Sequence, residues 1–266
     1  MRKELEIAIK AAIAGGEEIL QVYNSEEFHV EIKNDSSPLT IADTKANSKI
    51  MEFLAPTAIK IISEENRQIA YTHRKNWDAC WIVDPLDGTK EFIKKNGEFT
   101  VNIALIKNGA PFLGVIYVPA TGVLYYADVE KAKAYKTSIT NIENFNSAIN
   151  NSEVIRPGAG GKNLRVVGSK SHMNDDTLNY IKSLKEFHSK TVEIVPVGSS
   201  LKFCLVAEGL ADVYPRFAPT MEWDTAAGHA ICNAVGLNVV DKETGKEMRY
   251  NRENLLNNSF LVSAIG

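Results

Sequence analysis

The sequence predicts an α/β fold of stacked helical and sheet layers, and three observations carry that expectation. An amphipathic helical pattern opens the chain over residues 4–22, with Leu5, Ile9, Ile13, Gly16 and Leu20 on one side and Glu and Lys opposite. Between residues 99 and 135, β-rich runs follow one another, and Asn108-Gly109 marks a hairpin turn between two of them. Over the chain as a whole, strands and helices mix without the strict βαβ alternation of a Rossmann fold or barrel.

Each element follows from its local pattern. Residues 25–40 are polar and contain Asp35, Ser36, Ser37 and Pro38, which reads as a loop or hairpin end. A second helix is expected from about Thr40 to Leu54, ending before Pro56. Ile59 to Ser63 is a short apolar run that reads as a buried strand. Trp81, Ile82 and Val83 form another, which Asp84-Pro85 is expected to stop. Phe99 to Ile106 and Phe112 to Val118 form the hairpin, and Val123 to Ala127 and Ala132 to Tyr135 extend its sheet. Residues 138–163 turn rich in Asn, Ser and Gly and read as a long exposed connection between two lobes, 1–150 and 151–266. In the second lobe, strands are expected at 164–167, 192–197, 211–215, 237–240 and 259–263. Helices are expected near 174–187, 199–208 and 224–235.

Composition narrows the function classes. A chain of 266 residues with 44% hydrophobic and 24% charged side chains can build a sizeable core, so neither a disordered nor a collagenous chain fits. The 30 Lys and Arg against 33 Asp and Glu give −3, without the basic excess of a protein that binds a nucleic acid polymer. Cys80, Cys204 and Cys232 lie far apart with no CxxC, which argues against a zinc site or disulfide framework and suits a reducing cytoplasm. Glu4 and Glu6 near the N-terminus and the lack of a long apolar run lead us to expect neither a signal peptide nor a transmembrane segment.

The chemistry concentrates in Trp81-Ile82-Val83-Asp84-Pro85-Leu86-Asp87-Gly88-Thr89. An apolar strand delivers two carboxylates to its carboxyl end, Pro85 fixes the turn, and Gly88 permits a close backbone approach. Thr89 stands where a short helix can start, with its hydroxyl and neighbouring amides available to an anion. Carboxylates beside an anion-ready helix start repel phosphate unless cations intervene, and hard oxygen ligands suit Mg²⁺. Alone, the pattern serves equally as an Asp-rich turn with a threonine cap. Glu64 and Glu65 follow the buried run 59–63 and also read as a solvated loop; Asp224 opens an Ala-rich helix and also reads as an N-cap.

Taken together, Ser63-Glu64-Glu65, Asp84-Pro85-Leu86-Asp87-Gly88-Thr89 and Trp223-Asp224 resemble the inositol monophosphatase superfamily. Lys90-Glu91-Phe92, Asn96-Gly97-Glu98-Phe99-Thr100-Val101-Asn102, Gly198-Ser199-Ser200-Leu201-Lys202-Phe203-Cys204 and Tyr214-Pro215-Arg216-Phe217 are similar to its 3′(2′),5′-bisphosphate nucleotidase branch, of the bacterial CysQ type. The resemblance covers nearly the whole chain; the Asn-rich stretch 138–163 has no motif to compare.

The resemblance implies an αβαβα sandwich with a metal site between lobes. The first lobe would carry most ligands, and the second would add Asp224 and the nucleotide side. It implies two or three Mg²⁺ ions held by Glu64, Asp84, Asp87, Asp224 and the Leu86 carbonyl, with Glu65 close by. Asp43 and Thr89 would orient or deprotonate the attacking water. Around the scissile phosphate, Glu64, Leu86, Asp87, Gly88, Thr89 and Asp224 would meet substrate; His172, Ser199, Lys202 and Arg216 would contact the nucleotide. Read without the resemblance, Ser199 is a helix cap, Lys202 a solvated lysine and Arg216 a surface salt bridge; His29, His73, His188 and His229 read as surface or satisfied polar residues. Unpaired buried carboxylates cost several kcal/mol each, which independently favours bound cations.

The implied activity is removal of the 3′-phosphate from adenosine 3′,5′-bisphosphate, with 3′-phosphoadenylyl sulfate as a further substrate and a role in sulfate assimilation. Lithium sensitivity belongs to the same expectation. So do a monomer or homodimer and a cytoplasmic location, with peripheral association at the inner membrane left open. An inositol- or sugar-phosphate phosphatase with the same core is the enzymatic alternative. A silent phosphate sensor is disfavoured by the intact set Asp43, Glu64, Asp84, Asp87, Thr89 and Asp224.

Overall fold

Two sheets, of seven and five strands, stack with helices outside and between them in a computed structural model that describes residues 1–25, 30–32, 38–158, 160–168 and 174–265 (backbone alone for 30–32 and 38–40). The chain opens with α1 (Lys3–Tyr23), the short paired strands β1 (Val30–Ile32) and β2 (Pro38–Thr40), and α2 (Ile41–Leu54). β3 (Lys60–Ser63) follows, then α3 (Tyr71–Arg74), β4 (Ala79–Asp87) and α4 (Thr89–Ile93). Next come β5 (Thr100–Lys107), β6 (Ala110–Val118), β7 (Val123–Asp128), β8 (Lys133–Ser138), α5 (Phe145–Asn150) and β9 (Glu153–Val154). β3 to β9 make the first sheet in sequential order, parallel only between β3 and β4.

The second sheet starts at β10 (Asn163–Gly168), followed by α6 (Asp175–His188), β11 (Thr191–Pro196), α7 (Leu201–Ala207) and β12 (Val213–Arg216). The chain closes with β13 (Thr220–Met221), α8 (Glu222–Ala234), β14 (Val239–Asp241), β15 (Leu256–Asn257) and β16 (Phe260–Ser263). The second sheet runs β11-β10-β12-β16-β14, and β13 pairs with β15 apart from it.

Strand alternation explains the layers. Trp81, Val83, Ile103, Leu105, Val115 and Tyr117 point to one face of the first sheet, where α1 and α2 cover them. Cys80, Ile82, Ala104, Ile106 and Ile116 point to the other and meet α8. α7 packs beside α8 and against β10, β12 and β16, so these two helices form the middle layer. Within β10, Val167 joins that inner core while Val166 faces outward with Leu184 of α6. The order is αβαβα, as the resemblance implied. Ala226, Ala227 and Ala230 let α8 seat close on Gly114 of β6, where a Cβ would stand 2.5 Å from the Ala227 carbonyl oxygen. Among the described residues, no helix is long and apolar enough to cross a membrane.

Two expectations need correction. Asp84-Pro85 does not stop β4; the strand runs to Asp87 with a register shift between Asp84 and Asp87, where the proline's missing N–H has no ladder bond to make. Residues 138–163 are not a bare exposed connection: α5 and β9 lie within them, and Ile139, Phe145, Ala148 and Ile155 are buried. The Asn content hid an apolar face spaced over only two helical turns.

Candidate active site

The irregularity in β4 builds the acidic centre. Asp84 pairs with Asn102 and Asp87 with Thr100, so three steps on β4 span two on β5. In a regular strand, residues three apart face opposite sides; the extra residue turns both carboxylates to one side. The parallel pairing of Ser63 with Val83 brings the end of β3 alongside, and Glu64 N–H donates to the Val83 carbonyl (3.2 Å). Asp224 arrives from the first turn of α8. Carboxylate oxygens of Asp84, Asp87 and Asp224 all lie within 4.8 Å of one another.

One oxygen of each of these three groups is held by a backbone N–H. Leu86 N donates to Asp84 Oδ1 (3.0 Å), Ser200 N to Asp87 Oδ2 (2.6 Å) and Met221 N to Asp224 Oδ2 (2.7 Å). Burial, then the neighbouring charges of Glu64, Asp87, Asp224 and Asp43, holds the Asp84 carboxyl well above the usual carboxylate range. Burial and then Asp87 push Asp224 up to about 8. Such crowding favours protons or cations, and an all-oxygen donor set fits a hard divalent ion.

Beside this centre, Asp43 is buried in the first turn of α2, and its Oδ1 lies 3.5 Å from the Thr89 hydroxyl. That hydroxyl is also 3.4 Å from the Leu86 carbonyl oxygen. Gly88 caps α4 with φ +90°, where a Cβ would meet Ser199 Oγ at 2.8 Å; the turn therefore needs glycine for both its conformation and its space.

The opposite wall comes from the second half of the chain. A cleft open to solvent is lined by Asp87, Gly88, Ser199, Lys202, Arg216 and Asp224 among others. Ser199 is not a helix cap: its hydroxyl donates to the Asp87 carbonyl (2.6 Å). Nor is Lys202 a solvated lysine. It is 5% exposed, donates to the Ser199 carbonyl (2.7 Å), and burial lowers its ammonium to about 8. Arg216 Nη2 donates to the Pro219 carbonyl (3.2 Å), its Nε is buried without a hydrogen-bond partner, and it makes no ion pair among the described residues. His172 lies outside the described residues, as does His29. His229 is a satisfied buried histidine, with Nδ1 3.0 Å from Tyr250 Oη and Nε2 3.1 Å from Glu247 Oε1.

Sequence reasoning missed Glu222, Thr100, Asn102 and Ser200. Glu222 is fully buried at the start of α8 and accepts from the Asn251 and Arg252 backbone amides (2.6 and 3.0 Å), which ties the following loop to the helix that carries Asp224. The signal available was a polar residue breaking an apolar run, as in Thr100-Val101-Asn102-Ile103.

The model of the inositol monophosphatase family matches residues 1–264. A 3′(2′),5′-bisphosphate nucleotidase CysQ of Salmonella typhimurium is 44% identical over 263 residues, 97% of this chain and 99% of that protein. The CysQ nucleotidase of Buchnera aphidicola is 43% identical, covering 99% and 95%. The crystal structure of CysQ from Bacteroides thetaiotaomicron, a bacterial member of the inositol monophosphatase family, superposes with a TM-score of 0.90 at 48% identity, over 100% of this chain and 99% of that one. An IMPase of Thermotoga maritima shares the fold at a TM-score of 0.75 and 23% identity, over 99% and 92%.

Proposed function

Because this chain belongs to the inositol monophosphatase family, we propose that it is a 3′(2′),5′-bisphosphate nucleotidase that converts adenosine 3′,5′-bisphosphate to AMP and phosphate. One observation carries the reading beyond the family: the cleft that holds Asp87 and Asp224 also holds Lys202 and Arg216. An acidic end suited to cations and a scissile phosphate thus faces a cationic end suited to a second, remote phosphate. An inositol monophosphate has no group for that second end. The CysQ relatives, named for this activity, support the same substrate. Residues 1–150 and 151–266 would then form the two halves of one catalytic unit. The same resemblance extends to 3′-phosphoadenylyl sulfate and sulfate assimilation, and three buried free cysteines suit a reducing cytoplasm.

Glu64, Asp84, Asp87, Asp224 and the Leu86 carbonyl would hold two or three Mg²⁺ ions, which when bound supply charge neutralisation, an acidified water and stabilisation of the leaving oxygen. The Asp43 carboxylate, 3.5 Å away, would take the Thr89 hydroxyl proton in preference to the neutral Leu86 carbonyl, leaving lone pairs of that oxygen free to accept from the attacking water. The water oxygen bonds to phosphorus as the bond from phosphorus to the 3′-oxygen breaks; the proton the water loses passes by way of Thr89 to the Asp43 carboxylate, and the departing 3′-oxygen takes a proton from solvent water, giving AMP and inorganic phosphate. Gly88, lacking a Cβ, lets the backbone approach the phosphate. Ser199, Lys202 and Arg216 fix the other end of the substrate, and His172 would add a nucleotide contact.

A phosphate-release panel with Mg²⁺ tests the proposal, comparing adenosine 3′,5′-bisphosphate, 3′-phosphoadenylyl sulfate, inositol 1-phosphate and fructose 1,6-bisphosphate. The highest kcat/KM is expected on adenosine 3′,5′-bisphosphate. A higher value on inositol 1-phosphate or fructose 1,6-bisphosphate would replace this reading with the inositol- or sugar-phosphatase one.

A further inference from the structure

Asp87 is gripped from both halves of the molecule, and the grip falls on a single oxygen. Its Oδ2 accepts from Ser200 N–H at the start of α7 (2.6 Å), lies 3.4 Å from Asn102 Nδ2 and 3.5 Å from Thr100 Oγ1, the last two on β5. These three residues also close on each other. Ser200 Oγ donates to Asn102 Oδ1 (2.8 Å), and Thr100 Oγ1 is 2.8 Å from Ser200 Oγ and 3.0 Å from Asn102 Oδ1. All three are buried, where an unmade hydrogen bond costs about 1–3 kcal/mol, so a polar trio persists there only if its bonds are made. Their neighbours Val101 and Ile103 point the other way into an apolar layer.

Ser200 N–H, Asn102 Nδ2 and Thr100 Oγ1 all approach Oδ2, so Oδ1 is the oxygen that these contacts leave uncommitted. The far end of α7 is anchored as well, since Glu208 just beyond it accepts from Tyr125 Oη (2.8 Å) and Lys136 Nζ (2.6 Å) of the first sheet. α7 is therefore tied to the first sheet at both ends.

We propose that Thr100, Asn102 and Ser200 are positioning residues for the metal centre: they lock the Asp87 carboxylate so that Oδ1 is presented to a cation, and they make that presentation depend on the seating of α7. This rests on the reading of Asp87 as a metal ligand. Hydrogen-bonded supports behind ligating carboxylates change metal affinity about 10–100-fold when removed.

The test measures Mn²⁺ binding by electron paramagnetic resonance, on proteins shown by thermal unfolding in chelator to be folded. Thr100→Val keeps the shape and loses the hydroxyl; Asn102→Ala loses the amide; Thr100→Ser restores a hydroxyl. The expected Kd rises about tenfold or more in the first two and returns to within about threefold of wild type in the third. If Asn102→Ala does not fold, the Thr100 pair decides alone. Wild-type affinity in Thr100→Val, or equal weakening in Thr100→Val and Thr100→Ser, would overturn the proposal. Asp87→Asn separates the two levels. If it binds Mn²⁺ like wild type, the metal reading of the site falls and this inference with it. If it binds weakly while Thr100→Val and Asn102→Ala bind tightly, only this inference falls.

Discussion

Stripping the metal should leave a protein that loses stability as pH rises from 5 to 8. In the metal-free fold, burial and Asp87 raise Asp224 from 3.8 to about 8, and Asp84 is raised in the same direction. A carboxyl held above its unfolded value binds its proton more tightly when folded. Between the two values the folded state carries more protons than the unfolded one, so stability falls with rising pH across that window. At about 1.4 kcal/mol per tenfold in proton affinity, the Asp224 change corresponds to at most roughly 6 kcal/mol. The carboxylates share one mutual repulsion, so their effects do not add, and the cluster should cost a few kcal/mol in all. At ~2–4 °C per kcal/mol for a chain of this size, Tm should drop by about 5–15 °C between pH 5 and 8 in chelator. Glu222, raised to about 7 by burial, has the same sign, and His229, lowered by burial, the opposite one, but neither is placed to respond to added metal. The diagnostic quantity is therefore Tm in saturating Mg²⁺ minus Tm in chelator, measured by scanning calorimetry at each pH. It should grow from pH 5 to 8 in wild type and lose most of that growth in Asp224→Asn. A difference that is flat with pH would refute the crowded-carboxylate argument.

Asp87→Asn removes the charge of one proposed ligand and should abolish nearly all phosphate release while the protein remains folded by circular dichroism; Thr89→Ala should keep Mn²⁺ affinity but slow kcat by about 10²–10⁴-fold, and wild-type turnover would remove Thr89 from its proposed role. Gly114→Ala sets a Cβ 2.5 Å from the Ala227 backbone oxygen and should cost about 1–3 kcal/mol in urea unfolding, because backbone must move; unchanged stability would contradict the close seating of α8 on β6.

Much of this was legible because it is local. The alternation of Trp81, Ile82 and Val83 fixes which face of β4 meets which layer, and Asn108-Gly109, with φ of +49° and +73°, turns the hairpin where its residue types require. Asp84, Asp87 and Thr89 stand close in sequence, so their motif survives in one segment. Less legible were features set by pairing. The β4 register shift depends on β5, and nothing in Asp84-Pro85 alone distinguishes a strand end from a bulge. Lys202 reads as solvated because its surroundings, including the Tyr214 ring 5.8 Å away, come from distant segments. Glu222 likewise looks like an exposed first-turn acid until the loop at Asn251 and Arg252 closes over it.

We propose a division of labour in which an acidic centre performs hydrolysis while Lys202 and Arg216 read a remote phosphate. It is tested most directly by kcat/KM on adenosine 3′,5′-bisphosphate and on adenosine 3′-monophosphate, in wild type and in Lys202→Ala. The two substrates differ only in the remote 5′-phosphate. Wild type should prefer the bisphosphate, and Lys202→Ala should lose about 1.5–3 kcal/mol on it, roughly 10- to 150-fold, with little change on the monophosphate. Equal losses on both substrates, or none on either, would contradict the account.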